Sequence, residues 1–276
     1  MLYLCATPIG NLEDITLRAL RILKECDLIV AEDTRHTRKL LSHFDIHTPL
    51  ESYNENNHDE RISKLLERLK NNETIVCVSD AGTPGISDPG FELARAAIEN
   101  QIDVSPIPGA NAAISALICS GIDSRRFTFV GFLPRKKKSR TDIFDEIRTR
   151  QESLIFYEAP HRLKETLEDL FFHLGDREIT ICRELTKIHE EFIRGKISDM
   201  QKKFETSEIL GEYVLIVAGY DSSLETAETI DQNPVDVYEK FLADGLDKKS
   251  AIRETAKIFN VSRRDIYQLI LKEINE

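Results

Sequence analysis

The chain has no CxxC pair, no long apolar run and neither of the glycine signatures that mark nucleotide-binding sheets, and each absence removes a class of protein. Its five cysteines, Cys5, Cys26, Cys77, Cys119 and Cys182, lie far apart, mostly in apolar segments and away from any histidine cluster. That spacing excludes a disulfide framework and a Cys/His metal site, so no metal is expected and the thiols read as reduced core residues of a cytosolic protein. No segment approaches the roughly 18 apolar residues of a membrane span. The opening MLYLCATPIGN carries no basic leader, and its short apolar run reads as a first strand. A soluble, cytoplasmic protein with no membrane partner is expected. GxGxxG does not follow the first strand and GxxxxGKS/T is absent, so the dinucleotide and P-loop classes lack their fingerprints. The formal net charge is -11, so nucleic acid contact requires a local reversal of sign.

What is present is an alternation of strands and helices. Apolar runs at Leu2 to Ala6, Leu28 to Ala31, Thr74 to Val78 and Ile102 to Pro106 are separated by amphipathic stretches at Ile15 to Cys26, Arg35 to Phe44, Arg61 to Lys70 and Phe91 to Glu99. This is the βαβ rhythm of a parallel sheet, with Asp14 and Asp33 placed as N-caps and Asn71-Asn72 as a helix stop. A second, mixed series follows: a helix from Ala112 to Cys119, strands near Phe127 to Gly131, Leu154 to Tyr157, Glu178 to Cys182 and Tyr213 to Ala218, and helices at Leu163 to His173 and Ile197 to Thr206. The stretch from Asp221 to Asn233 has four acids and no base, as an exposed linker does. The expected organisation is a parallel α/β domain over 1–110, a mixed α/β domain over 111–221, an acidic linker over 222–233 and a helical tail over 234–276. In that tail KKSAIRETAKIFNVSRRDIYQLI reads as two helices joined at Phe259-Asn260-Val261, with Ser262 as cap and Ala256, Phe259, Val261, Ile266 and Leu269 as core.

Three turns stand out. SDAGTPGISDPG packs three glycines and two prolines into twelve residues after a strand, fixing the backbone and allowing close approach to it. An ordinary strand-to-helix loop would account for this stretch alone. However, Ala6-Thr7-Pro8-Ile9-Gly10-Asn11 and Pro106-Ile107-Pro108-Gly109-Ala110-Asn111 also follow apolar strands. Ligands of open parallel sheets sit outside the carboxyl ends of the strands, so all three turns are expected to face one crevice.

With TPIGNLEDIT, AEDTRHTRKLL, SDAGTPGISDPG, PGANAAISAL, FYEAPHRL and RELTKIHEE in this order, the sequence resembles the tetrapyrrole methylase superfamily over about residues 1 to 220. The resemblance implies an α/β fold of two α/β domains with S-adenosylmethionine in the cleft between them, a homodimer, and a C-terminal helical tail. Within the family it is similar to a branch that methylates a cytidine ribose 2′-hydroxyl in the decoding region of small-subunit ribosomal RNA, naked or within the assembled small subunit. Methylation of a tetrapyrrole or precorrin, or a non-enzymatic nucleic-acid-binding regulator, are the alternatives. The resemblance implies a donor pocket of Pro8, then Asp80, Gly82, Thr83, Pro84, Ile86 and Ser87 of the glycine-rich loop, then Asn111, Ala112, Tyr157, Glu158, Glu212 and Tyr213. Thr83 stands where the family carries an acid, so a carboxylate role there passes to Asp80 or Asp88.

A ribose hydroxyl is a poor nucleophile, so a positioned base or a cation that stabilises the developing alkoxide is expected. Asp33, His36, His58, Asp80, His161 and Glu184 lie near the loops; Asp33, His58 and Asp80 are the catalytic candidates, and the sequence does not choose among them. Arg35, Arg38 and Lys39 share one helix face, suited to phosphate contacts or to plain solvation. From Arg125 to Arg150 nine bases stand against three acids; Pro134 to Ser139 reads as a mobile loop that grips phosphates or as a plain solubilising loop, and Arg135, Lys136, Lys137, Lys138 and Arg140 are the RNA candidates of this stretch. Arg263 and Arg264 of the tail are further RNA candidates, although residues 232 to 276 hold eight bases and eight acids, which suits an assembly module equally well. Arg183-Glu184 and the segment Lys187 to Glu191 are either a cross-domain ion-pair network or a substrate wall, and Asn54, Asn56, Asn57 and His58 line a polar loop.

Overall fold

The computed structural model describes residues 1–54, 57–88, 90–221, 233–243, 246–259 and 266–270, with backbone only for 58, 59, 257 and 258. The chain forms two compact units, Met1–Tyr220 and Asp221–Glu276. The first unit contains two five-stranded sheets.

One sheet is wholly parallel, with β1 (Leu2–Cys5), β2 (Leu28–Ala31), β3 (Leu50–Ser52), β4 (Ile75–Val78) and β5 (Val104–Ile107) in the order β3-β2-β4-β1-β5. Every residue of β2 and β4 is buried, because both faces of the sheet are covered. Ile29, Ala31, Val76 and Val78 point into one core with Leu23 of helix α1 (Leu17–Glu25) and Leu41 of helix α2 (Thr34–His43). Leu28, Val30, Ile75 and Cys77 point into the other, with Leu65 of α3 (His58–Lys70) and Leu93 of α4 (Gly90–Glu99). Period-two alternation in continuous apolar runs therefore feeds two cores at once.

The second sheet holds β6 (Phe127–Phe132), β7 (Ser153–Glu158), β8 (Glu178–Arg183), β9 (Glu191–Lys196) and β10 (Tyr213–Val217) in the order β6-β7-β10-β8-β9. Only β6 and β7 run parallel; β10 is antiparallel to β7 and β8, and β8 to β9. Helix α5 (Ala112–Ser120) packs Ala113, Ala116 and Leu117 against Ile155, Cys182, Val214 and Ile216 on one face. Helices α6 (Lys137–Ile147), α7 (Leu163–Leu174) and α8 (Ile197–Thr206) bury Phe144, Leu167, Leu170, Met200 and Phe204 on the other.

The second unit has its own small core, in which α9 (Pro234–Ala243) and α10 (Lys248–Ile258) bring Tyr238, Ala251 and Ala256 against Ile266 and Ile270. Asp247 starts α10, accepting from the amides of Lys249 and Ser250. Leu269, expected in that core, is exposed, and its neighbour Ile270 takes the buried position. Asn260, Val261, Ser262, Arg263 and Arg264 lie outside the described residues. Among the described residues no helix is long and apolar enough to cross a membrane.

Several sequence expectations change. The cap of α1 is Thr16, which accepts from the Ala19 amide at 3.1 Å, while Asp14 ends a 3-10 turn capped by Asn11. Strand β3 has three residues, two of them polar, and is held at the sheet edge by backbone pairing to β2, so it has no apolar signature. Strand β9 is missed for the same reason, as Glu191, Arg194 and Lys196 interrupt its apolar pattern. Cys119 is exposed, whereas the other four thiols are buried. Burial pushes the Cys5 and Cys182 thiols up to about 12. The expected basic loop is largely helix: α6 begins at Lys137, and the Arg140 side chain is only 7% exposed, its Nε 2.6 Å from Asp169 Oδ2 and its Nη2 paired with Glu165. Arg140 therefore ties α6 to α7 and does not face RNA.

Replacing Arg140 leaves the largely buried Asp169 carboxylate without its cation. Arg140→Ala is expected to lower stability by about 3 kcal/mol or more in urea denaturation, while Lys137→Ala, one turn away and exposed, changes it by less than about 0.5 kcal/mol.

Candidate functional site

The three turns converge through backbone contacts. Thr7 and Gly82 form an isolated antiparallel bridge, with Thr7 N donating to Gly82 O at 2.9 Å and Gly82 N to Thr7 O at 3.1 Å. Gly82 sits at φ +83°, a region where a side chain is strained. A Cβ on Gly109 would stand 2.9 Å from the Ala6 Cβ, so the third turn closes on the first only because residue 109 is glycine. The Thr83 hydroxyl donates to Ala110 O at 3.2 Å and accepts from Asn111 Nδ2 at 3.3 Å. Asn111 Oδ1 accepts from Ile114 N at 3.0 Å, capping α5. One asparagine thus joins the glycine-rich loop to the helix that packs on the second sheet. Thr83 clasps the glycine-rich loop to the third turn.

Asp88 Oδ1 accepts from the amides of Gly85 and Gly90 at 2.7 and 2.8 Å, pinning both ends of the bend. Burial pushes its carboxyl pKa up; those two amides oppose the shift, and Glu92 and Asp80 add to it. Asp80 Oδ1 accepts from Asp33 N at 2.9 Å.

Between this wall and the ends of β6, β7 and β10 lies a cavity of about 580 Å³. Asp80, Gly82, Thr83, Ile86, Ser87, Asn111, Ala112, Tyr157, Glu158, Glu212 and Tyr213, all expected in the donor pocket, line it. Pro8 and Pro84 do not; they shape the turns whose neighbours Ile9 and Thr83 do. Sequence reasoning missed Ile9, Glu32, Phe132, Leu185 and the Ala159-Pro160 corner. Ile9, Glu32, Ala159-Pro160 and Leu185 adjoin residues already singled out; Phe132 carries no local signal.

The lining is electrostatically one-sided: Glu32, Asp80, Asp88, Glu158 and Glu212 contribute carboxylates, and among the described residues no lysine, arginine or histidine lines the cavity. Glu158 is fully buried, accepting from Ala159 N at 2.8 Å and from the Thr166 hydroxyl, with Arg162 Nε 3.7 Å away. Lys187 Nζ holds Glu212 Oε2 at 2.9 Å and Glu184 Oε1 at 3.0 Å. The Gly10 hydrogens face the Lys187 stem and Leu185 O, which a Cβ would meet at 2.5 and 2.8 Å. The segment Glu184 to Lys187 is therefore an ion-paired cavity wall seated against the first turn.

Of the catalytic candidates, Asp80 alone is seen in the cavity wall. Asp33 caps α2, accepting from Arg35 N at 2.8 Å. Its carboxylate also pairs with the Arg35 guanidinium, and these bonds hold its pKa well below the usual carboxylate range. That makes it a poor base, and it engages Arg35. The His58 side chain lies outside the described residues. His36 and His161 are exposed away from the lining. Arg38 and Lys39 are exposed on α2, and Arg135, Lys136, Lys137 and Lys138 are exposed with no ion pair among the described residues. Among the described residues no cluster of three or more His, Cys, Asp or Glu is placed to hold a metal.

The raised Asp88 pKa has a definite sign: the folded state keeps a proton that the unfolded state has released, so stability falls as pH rises from about 4 through the folded value. Asp88→Asn keeps the acceptor and removes the charge. It is expected to be at least as stable as wild type near pH 7 and to lose any advantage near pH 4. Asp88→Ala abandons both glycine amides and costs about 1–3 kcal/mol at either pH, read by urea denaturation.

Residues 1–201 match the family model described as Tetrapyrrole (Corrin/Porphyrin) Methylases. Over 99% of this chain and 95% of its relative, the sequence is 50% identical to a protein of Halalkalibacterium halodurans named Ribosomal RNA small subunit methyltransferase I. Proteins of the same name from Bacillus subtilis and Synechocystis are 47% and 46% identical over 97% and 99% of this chain, and 92% and 98% of their own lengths. Among solved structures, diphthine synthase superposes with a TM-score of 0.62 at 14% identity, covering 79% of this chain and 89% of its own. Uroporphyrin-III C-methyltransferase from Thermus thermophilus, complexed with S-adenosyl homocysteine, superposes at 0.55 and 18% identity, covering 82% and 99%. With two α/β sheets, three laced turns and this family match, the chain belongs to the tetrapyrrole methylase family.

Proposed function

We propose that this chain is an S-adenosylmethionine-dependent methyltransferase of small-subunit ribosomal RNA, acting on a cytidine ribose 2′-hydroxyl in the decoding region. The observation that carries the reading is the cavity, which among the described residues has five carboxylates and no cationic side chain in its lining. Such a field favours a cationic ligand, and a sulfonium donor is one. When bound there, S-adenosylmethionine supplies an electrophilic methyl group. Transfer to an oxygen is an in-line displacement in which orientation is the main advantage, so the protein contributes shape more than reactivity.

The residues divide the work accordingly. The rigid Gly82-Thr83 and Ile86-Ser87 segments, with Asn111, Ala112, Tyr157, Glu158, Glu212 and Tyr213, hold the donor and exclude water. Asp80 is assigned as the proton acceptor for the ribose hydroxyl: its Oδ1 is fixed by the Asp33 amide, and Oδ2 takes the proton. Arg135, Lys136, Lys137 and Lys138 begin three residues after the cavity wall residue Phe132 and grip phosphates, with Arg38 and Lys39 as a second basic patch. Arg263 and Arg264, outside the described residues, are further RNA candidates on the sequence alone. Relatives 46–50% identical over nearly the whole chain and named for small-subunit ribosomal RNA favour RNA over a macrocyclic substrate. The enzyme acts as a homodimer in the cytoplasm, where ribosomal RNA is found.

The test is to incubate the purified protein with labelled methyl donor and small subunits, free ribosomal RNA or a precorrin extract, followed by mass spectrometry of the nucleosides. A ribose-methylated cytidine is expected. Label in the tetrapyrrole alone, or in nothing, overturns the reading. Alanine at each of Arg135, Lys136 and Lys137 is expected to weaken RNA binding and to reduce the slope of log affinity against log salt by about one for each phosphate the variant no longer grips.

A further inference from the structure

We infer that Phe132 is the stacking platform for the nucleobase whose ribose enters the cavity, and that the bulge in β6 exists to aim it there. The inference rests on the RNA methyltransferase reading above.

The geometry begins with register. Phe127, Thr128 and Phe129 lie beside Ser153, Leu154 and Ile155 of β7, but Gly131 then lies beside Phe156 and Phe132 beside Tyr157. One residue is inserted between Phe129 and Gly131. Without it, continued pairing would set Phe132 beside Glu158 and on the face opposite Phe129, since side chains alternate along a strand. With it, Phe129 and Phe132 flank the same Tyr157 ring, at 5.0 and 5.5 Å between centroids and both edge-on. The extra residue is absorbed at Gly131, whose φ of +73° disfavours any side chain. A Cβ there would also lie 3.5 Å from Ser87 Oγ of the cavity loop. Bulges recur beside active sites because they redirect one side chain.

The redirected side chain has the properties of a platform. Phe132 lines the cavity, yet 55% of its surface remains exposed, although the preceding Gly131 and the following Leu133 are buried. Other large apolar side chains of the chain are as exposed, but among the described residues Phe132 is the aromatic one that also lines the cavity beside Tyr157, so its free surface is available to a ligand entering there. Tyr157 braces it in a T-shaped contact at 5.5 Å between centroids, so the ring is positioned before a partner arrives. Three residues later the exposed cations Arg135 to Lys138 begin. An aromatic face with exposed cations close by in the chain is the arrangement that binds an unstacked nucleotide, base on ring and phosphate on lysine or arginine.

The test compares Phe132→Ala, Phe132→Leu and Phe132→Trp with wild type. Stacking of about 1–3 kcal/mol per base, at 1.36 kcal/mol per decade, predicts that alanine lowers kcat/KM for small-subunit RNA by roughly 5- to 150-fold. Leucine is expected to fall with alanine, and tryptophan to stay near wild type. Donor affinity by calorimetry and the oligomeric state by light scattering are expected to match wild type in all three. Besides a fully active alanine variant, three results overturn the inference: leucine restoring activity as well as tryptophan, donor affinity falling in step with activity, or the alanine variant changing oligomeric state. The last two assign Phe132 to the donor wall or to a second copy of the chain. Failure of wild type itself to methylate any small-subunit RNA defeats the function reading, whereas a fully active alanine variant defeats this inference alone.

Discussion

The pair of backbone hydrogen bonds between Thr7 and Gly82 is the constraint on which the rest of the site depends. Parallel strands leave their carboxyl ends pointing the same way, but nothing in a sheet obliges the loops that follow to touch. Here the β1 and β4 loops are tied to each other, the β5 loop is tied to both through Gly109, Thr83 and Asn111, and Asp88 braces the bend from inside. The result is a wall fixed before any ligand arrives, which is what positional catalysis requires. Because Asn111 also caps α5, and α5 packs on β7, β8 and β10, the same lacing sets the distance to the opposing wall.

Charge is arranged in layers around that wall. Among the described residues the cavity carries only acidic ionisable groups besides its tyrosines, while the segment just beyond Phe132 carries exposed cations that no described acid neutralises. A bulk charge of -11 hides this contrast. Several of the basic residues that look equivalent in the sequence are already engaged: Arg125 with Asp123, Arg140 with Glu165 and Asp169, and Arg150 with Glu146 and Glu152. Of these only Arg140 bridges two helices, and the cations left unpaired among the described residues form a smaller and more sharply bounded surface. Asp33 and Asp80 show the same sorting among acids. One is consumed by a helix cap and an arginine, whereas the other keeps its place in the cavity wall.

Four of the five strands of the first sheet with the helices between them, the burial of β2 and β4, and the convergence of the three turns were legible in the sequence. Continuous apolar runs, glycine at forced positions and cap residues are local signals, each governed by interactions within a few residues. The six ordered motifs also identified the family. What local chemistry could not set was decided by partners distant in the chain. Strand β3 exists through its pairing with β2, Arg140 is buried because α7 brings Asp169 to it, and Ile270 rather than Leu269 is buried in the tail core. The cavity wall at Phe132 and Leu185 belongs to this class. Its composition follows from a one-residue bulge and a loop seated on Gly10, and neither register nor loop seating is encoded by any residue's own preference; both arise only when two segments meet.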